Sequence, residues 1–196
     1  MTQIPLFPLG TVLFPGGRLQ LQIFEQRYLD LVRDSFKNDT GFGMAWILSG
    51  QEVAQPGVEL PSLGIRGTYA RIVDWNPAPS GLLGITVEGK TSFRINDCFE
   101  KTNRLVMGNI EMLPALPAEP LTDEWAPMLK VLTKLEPHPP IQRMGLKIDY
   151  DDAWQVGRVL AQILPLEPAF KYELLEIDDI GQFMERLGEF VHGLAA

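Results

Sequence analysis

Apolar residues recur along this chain with two different periods. From the N-terminus to about residue 113 the period is mainly two. Leu19, Leu21 and Ile23 alternate with Gln20 and Gln22, which puts the apolar side chains on one face of a strand over 18–23. Comparable β-rich runs cover 42–48, 65–75, 82–88, 91–99 and 104–113. Turn-forming residues separate them: Gln55-Pro56-Gly57, the 76–81 stretch from Asn76 to Gly81, and Glu88-Gly89-Lys90. Many short strands at close spacing predict a barrel or a sandwich. One helix interrupts them over 25–37, with Tyr28, Leu31, Val32, Ser35 and Phe36 along one face.

The period then lengthens. Residues 114–121 carry three prolines, at 114, 117 and 120, and read as a linker. Beyond it, Trp125, Met128, Leu129, Leu132 and Leu135 follow helical spacing. So do Val156, Val159, Leu160, Ile163 and Leu164, behind Asp151 or Asp152 as N-cap. A third stripe joins Ile180, Phe183, Met184, Leu187, Val191 and Leu194 behind Asp178 or Asp179, and a shorter helix is predicted around 169–177. The reading is therefore α+β. It has a β-domain over 1–113, a Pro-rich linker over 114–121, and a small antiparallel helical bundle over 122–196.

Composition narrows the function more than the fold. The chain is 45% hydrophobic and 21% charged, ordinary for a core-forming protein, and its net charge is −8. Residues 1–113 contribute −1 and residues 114–196 contribute −7, so neither half offers the basic surface that nucleic acid requires. The single cysteine, Cys98, cannot form an internal disulfide, which fits a reducing compartment. Prolines at 5, 8 and 15 interrupt the apolar start, so no signal peptide is read, and no apolar run is long enough to span a membrane. The expected location is the cytoplasm.

Candidate chemistry is sparse. Gly84, Gly89, Lys90 and Thr91 match the phosphate-loop pattern G-x-x-x-x-G-K-T. That chemistry needs a loop whose N–H groups curl round a phosphate, followed at once by a helix. Here Ile85, Thr86 and Val87 favour extended structure, and Phe93 and Ile95 alternate as in a strand. The match is rejected in favour of a β-hairpin turning at Glu88-Gly89-Lys90. His138 and His192 have no partner at metal-ligand spacing, and no metal or cofactor is expected. The acidic pairs near 151 and 178 read as helix caps, and none of the five serines sits in an activation signature. No catalytic residue is assigned.

The opening segment is more specific. Ile4-Pro5-Leu6-Phe7-Pro8-Leu9 leads through Leu13-Phe14-Pro15-Gly16 to Ile23-Phe24-Glu25, then Arg27-Tyr28. Read alone, this is the first edge strand of the β-domain and its crossover, with prolines marking edges and bends. Its order and spacing resemble the N-terminal domain of the Lon protease family. Gly67-Thr68-Tyr69-Ala70-Arg71-Ile72 and the stretch from Gly89 to Ile95 resemble later parts of that family's pattern, with Ser92 where arginine is usual. Leu164-Pro165-Leu166 and Lys171 to Glu176 resemble its last helices, with Tyr172 where glutamine is common.

The resemblance implies a PUA-like β-barrel with one inserted helix, followed by an α-helical bundle. It also implies a substrate-recognition role toward unfolded or extended polypeptides, as in protein quality control. The family's ATPase and peptidase lie outside this region, so a non-catalytic, stand-alone recognition domain is expected. A contact surface is placed at Trp75, Pro77 and Pro79, where an aromatic beside a rigid turn loses little entropy on binding. The competing role for Trp75 is a cap on the β-domain core. The alternative function is a small-molecule-binding or enzymatic domain using a pocket between the two halves. RNA binding, known of other PUA-like barrels, has the net charge against it.

Overall fold

A computed structural model describes residues 2–52, 60–77 and 82–195. Strands β1 (Thr2–Leu9), β2 (Arg18–Ile23), β3 (Phe42–Ser49), β4 (Ser62–Pro77), β5 (Leu83–Glu100) and β6 (Val106–Met112) form one six-stranded sheet. Its order is β2-β5-β4-β3-β1-β6, and β5 also pairs with β6, so the pairings β1–β3–β4–β5–β6 return to β1. Helix α1 (Gln26–Asn38) lies between β2 and β3. After β6 come a 3-10 turn at Asp123–Trp125 and helices α2 (Ala126–Leu135), α3 (Pro139–Gln142), α4 (Ala153–Ile163), α5 (Pro168–Leu175) and α6 (Ile180–Ala195).

Two sequence expectations for the sheet are corrected. The hairpin expected at Glu88-Gly89-Lys90 is absent: β5 runs through it as one strand. The polar run sits instead at a β-bulge, where the register against β4 slips between Tyr69/Thr91 and Ala70/Gly89. There β5 exchanges its second neighbour, pairing with β2 up to Glu88 and with β6 from Phe93. Turn chemistry and bulge chemistry look alike in sequence because both interrupt a ladder. The segment at Pro5 and Pro8 is also not a simple edge strand, since β1 lies between β3 and β6. Its prolines are tolerated because Thr2–Pro5 pair only with β6 and Leu6–Leu9 only with β3. Each half of β1 therefore leaves one side free of ladder hydrogen bonds.

Helix α1 buries Tyr28, Leu31, Val32 and Ser35 as its spacing predicts, but Phe36 is half-exposed. The buried stripe is rotated toward Arg27, whose guanidinium donates to the carbonyls of Arg104 (2.8 Å) and Glu52 (3.1 Å). The predicted cap of α4 is Asp152, which accepts from the Trp154 N–H at 3.1 Å. Asp179 accepts from the Gln182 N–H at 2.8 Å at the start of α6. Residues of the proline-rich stretch are tied to α4: Leu121 N–H donates to the Asp151 carbonyl at 2.9 Å, and Ala153 N–H to the Glu119 carbonyl at 2.8 Å.

The segment 12–17 joins the sheet to the helices. Val12 and Phe14 are buried in the helical core, with Phe14 edge-on to Phe183 at 6.4 Å. The backbone is held on every side. Gln162 Oε1 accepts from Phe14 N–H (3.0 Å), Thr68 Oγ1 donates to the Leu13 carbonyl (2.6 Å), and Gly16 N–H donates to the Gly89 carbonyl (2.9 Å). Gly16 turns the chain at φ +81°, a conformation that disfavours any residue with a Cβ. A Cβ at Gly89 would lie 2.3 Å from the Phe14 carbonyl oxygen, so glycine is required there as well.

A second joint lies at Tyr172 of α5. Its ring packs on Trp46 at 4.9 Å, and its hydroxyl accepts from the Arg66 N–H of β4 at 3.0 Å. Replacing Tyr172 with phenylalanine leaves that amide without its acceptor. The expected loss is about 1–3 kcal/mol of unfolding free energy, read by urea denaturation with an unchanged m-value.

Candidate functional site

The unsatisfied edge of the sheet is β2. It pairs with β5 on one side, and Arg18 to Ile23 have no other backbone partner among the described residues. An unpaired strand edge offers a row of N–H and C=O groups that a second extended chain can complete. The alternation that predicted β2 also decides its faces: Leu21 and Ile23 are buried, while Gln20 and Gln22 are exposed.

Three hollows abut along this strand and share Gln20. The first, about 410 Å³, lies between Arg18, Leu19, Gln20 and Thr86 on the sheet and Pro140, Arg143 and Met144 of the helical half. The second, about 290 Å³, runs over Gln20–Gln22, Asn76 and Gly84–Thr86. The third, about 180 Å³, is the apolar end, with Phe7, Leu21, Phe24 and Tyr28 among its walls. The first reaches the helical half, the second crosses the sheet face onto β5 and β4, and the third reaches β1 and the start of α1.

The apolar end is built by the Ile-Phe-Glu-x-Arg-Tyr run. Ile23 points inward, so Phe24 points out and is 57% exposed. Tyr28, one turn into α1, stacks on Phe7 at 4.0 Å, with Arg27 over its other face at 4.4 Å. The Arg27 Nε lies 3.0 Å from Glu25 Oε2, and Glu52 accepts the Gly10 N–H, so the loop is pinned to the helix start. Burial drives the Tyr28 phenol pKa well above its usual range, so it stays a neutral donor. Its hydroxyl is buried and has no hydrogen-bond partner among the described residues. Such a group is uncommon, and other atoms of Tyr28 line this hollow.

At the opposite end, Arg18 donates through Nε (2.8 Å) and Nη2 (2.6 Å) to Glu88 and through Nη1 (3.3 Å) to the Met144 carbonyl. Lys90 also donates to Glu88. Burial alone would raise the Glu88 pKa, but the hydrogen bonds from Lys90 and Arg18 outweigh it and hold the carboxyl below its ordinary value of 4.5. A carboxyl depressed in the folded state stabilises above its unfolded pKa and loses that contribution as pH falls through the folded value. The Tm advantage of the wild type over Glu88→Gln is therefore expected to shrink as pH drops from about 6 to about 3. Thermal scans across that range check it, and a pH-independent gap would contradict it.

The residues singled out from sequence are placed as follows. Trp75 is 60% exposed near the end of β4, opposite Ile85, and Pro77 pairs with Leu83. Pro79 lies outside the described residues, as does the Gln55-Pro56-Gly57 turn. Neither Trp75 nor Pro77 lines the groove along β2. Gly84, Gly89, Lys90 and Thr91 all belong to β5, with no helix following. Burial, and then the Asp97 charge, raise the Cys98 thiol pKa, which works against nucleophilic use. Among the described residues no group of three His, Cys, Asp or Glu side chains is placed to hold a metal ion. Among the described residues no helix is long and apolar enough to cross a membrane. Phe24 and the Tyr28 hydroxyl went unmarked in the sequence, although alternation out of β2 already places Phe24 on the exposed face.

The family model for the ATP-dependent protease La (LON) substrate-binding domain matches residues 3–193, and the chain belongs to that family. A solved structure of a Lon N-terminal domain protein from Xanthomonas campestris is 32% identical over 95% of this chain and 97% of its own, with a TM-score of 0.75. The N-terminal domain of a Mycobacterium avium complex Lon protease shares the fold at 17% identity, covering 95% and 96%, with a TM-score of 0.65. Among curated proteins none matches this chain. With 3–193 taken up by the recognition domain, these 196 residues contain neither the ATPase nor the peptidase domain.

Proposed function

We propose that this domain recognises extended or unfolded polypeptide segments by adding them as a strand to the free edge of β2, without catalysis of its own. The observation that carries the reading is the unpaired β2 edge, with hollows that meet at Gln20 beside it. Strand addition takes affinity from main-chain hydrogen bonds, which suits a partner of varied sequence, while side-chain pockets supply preference. The apolar hollow at Phe24 would receive a bulky side chain. Family membership supports a substrate-recognition role. The ring of strand pairings supports reading residues 1–113 as a PUA-like barrel, with 114–121 as linker and 122–196 as a helical bundle. Trp75 and Pro77 are proposed as a separate, flanking contact, on the strength of Trp75's exposure.

The test is suppression of aggregation of a chemically unfolded model protein at stoichiometric concentration. Suppression that is competed by a short extended peptide is expected. No suppression, with no polypeptide retained in a pull-down, would overturn the reading.

One observation favours a second reading. The 410 Å³ hollow between β2 and residues 140–144 falls within the roughly 300–1,000 Å³ of small-molecule sites and lies between the two halves. A metabolite released from gently denatured protein and identified by mass spectrometry would support it.

A further inference from the structure

On another side of the joint between sheet and helices lies a small polar pocket of about 80 Å³. Pro15, Arg66, Lys90, Thr91, Ser92 and Arg158 line it together with residues 114–116. Three cations face it and no carboxylate does. Two of the three are engaged elsewhere: Arg66 donates from its Nη atoms to Asp178 and to the Glu176 carbonyl, and Lys90 donates to Glu88. That still leaves the Arg66 Nε buried without an acceptor.

Arg158 is less compensated. Its guanidinium lies over the Trp154 ring at 4.6 Å, and it makes no hydrogen bond or ion pair among the described residues. Burial, and then the neighbouring Arg66 charge, lower its pKa to about 10, and Asp152 and Asp178 offset only part of this. It remains cationic at neutral pH. A partly buried guanidinium without a hydrogen-bond partner keeps planar donors free for an acceptor in the pocket.

We propose that this pocket binds one small oxyanion, a carboxylate or a phosphoryl group, between the Arg158 guanidinium and the Thr91 and Ser92 hydroxyls, with Arg66 and Lys90 adding positive charge to its wall. Planar guanidinium groups match the paired oxygens of such anions. The pocket is well below the roughly 300 Å³ at which small-molecule sites begin, so it takes a head group and excludes a base or ribose. The β-bulge at Lys90 gives the site its shape by setting Lys90, Thr91 and Ser92 together on the pocket wall. An anion held there would link β4 and β5 to α4 and so tighten the joint. The proposal does not rest on the polypeptide reading, since the pocket shares no lining residue with the groove along β2.

Titration calorimetry and thermal shift with inorganic phosphate and with acetate, at ionic strength held constant with sodium chloride, test it. The proteins compared are the wild type, Arg158→Gln, and the more exposed Lys90→Gln, which keeps the test open if Arg158→Gln folds poorly. Saturable binding of phosphate or acetate is expected, weakened about tenfold in Arg158→Gln and severalfold in Lys90→Gln. The tighter-bound anion identifies a phosphoryl or a carboxylate source. Equal affinity in all three proteins, or no saturable binding of either anion, would overturn the proposal.

Discussion

Replacing Phe14 with alanine is expected to remove about 3–5 kcal/mol of unfolding free energy, among the largest losses available to a single side chain here. Phe14 is fully buried, and its ring belongs to the helical core although its backbone belongs to the sheet. Truncation leaves a cavity against Phe183 that neither half can close. The backbone of 12–17 is held by Gln162, Thr68 and Gly89, and the facing α6 ring is itself packed on Trp154 at 5.3 Å. Urea unfolding followed by tryptophan fluorescence measures the loss. It also shows whether sheet and helices still unfold together, because Trp46 and Trp154 report on the two sides of the joint. A loss below about 1 kcal/mol would mean that the joint carries little of the stability.

Phe24→Asp is expected to weaken capture of an unfolded polypeptide roughly 30-fold, the effect of losing about 2 kcal/mol from one apolar anchor. Global stability should change by no more than about 0.5 kcal/mol, since the side chain is already largely in water. Phe36→Asp is the matched control. Phe36 is 50% exposed on α1 and lines none of the hollows along β2. Equilibrium binding of a fluorescently labelled, permanently unfolded polypeptide separates the two variants. Equal loss in both would assign the effect to surface charge and not to the groove.

The two-part character of the chain was legible because each half is internally periodic. Alternation in Leu19-Gln20-Leu21-Gln22-Ile23 gives β2 to the residue, and the spacing of Phe183, Met184 and Leu187 gives the buried face of α6. Joints are harder to read. Phe14 looks like one more apolar residue of a β-domain, and only tertiary packing assigns it to the helices. Glu88-Gly89-Lys90 carries turn residues because a strand changes partners there, a long-range event with the same local chemistry as a hairpin. Arg27 falls outside the apolar stripe of α1, yet it is buried because carbonyls distant in sequence accept from its guanidinium. The groove was illegible for a related reason. That β2 lies at an edge depends on which strands pair with β5, and no local pattern encodes that. Phe24 is the exception, because the alternation of β2 continued by one residue places it on the outer face.

Hydrogen exchange at the β2 amides tests strand addition most directly. In the free protein, those amides of residues 18–23 not bonded to β5 should exchange quickly. With a saturating unfolded polypeptide they are expected to slow by about tenfold or more, together with the backbone beside Phe24. Protection that builds elsewhere while β2 stays unchanged would contradict recognition through this edge.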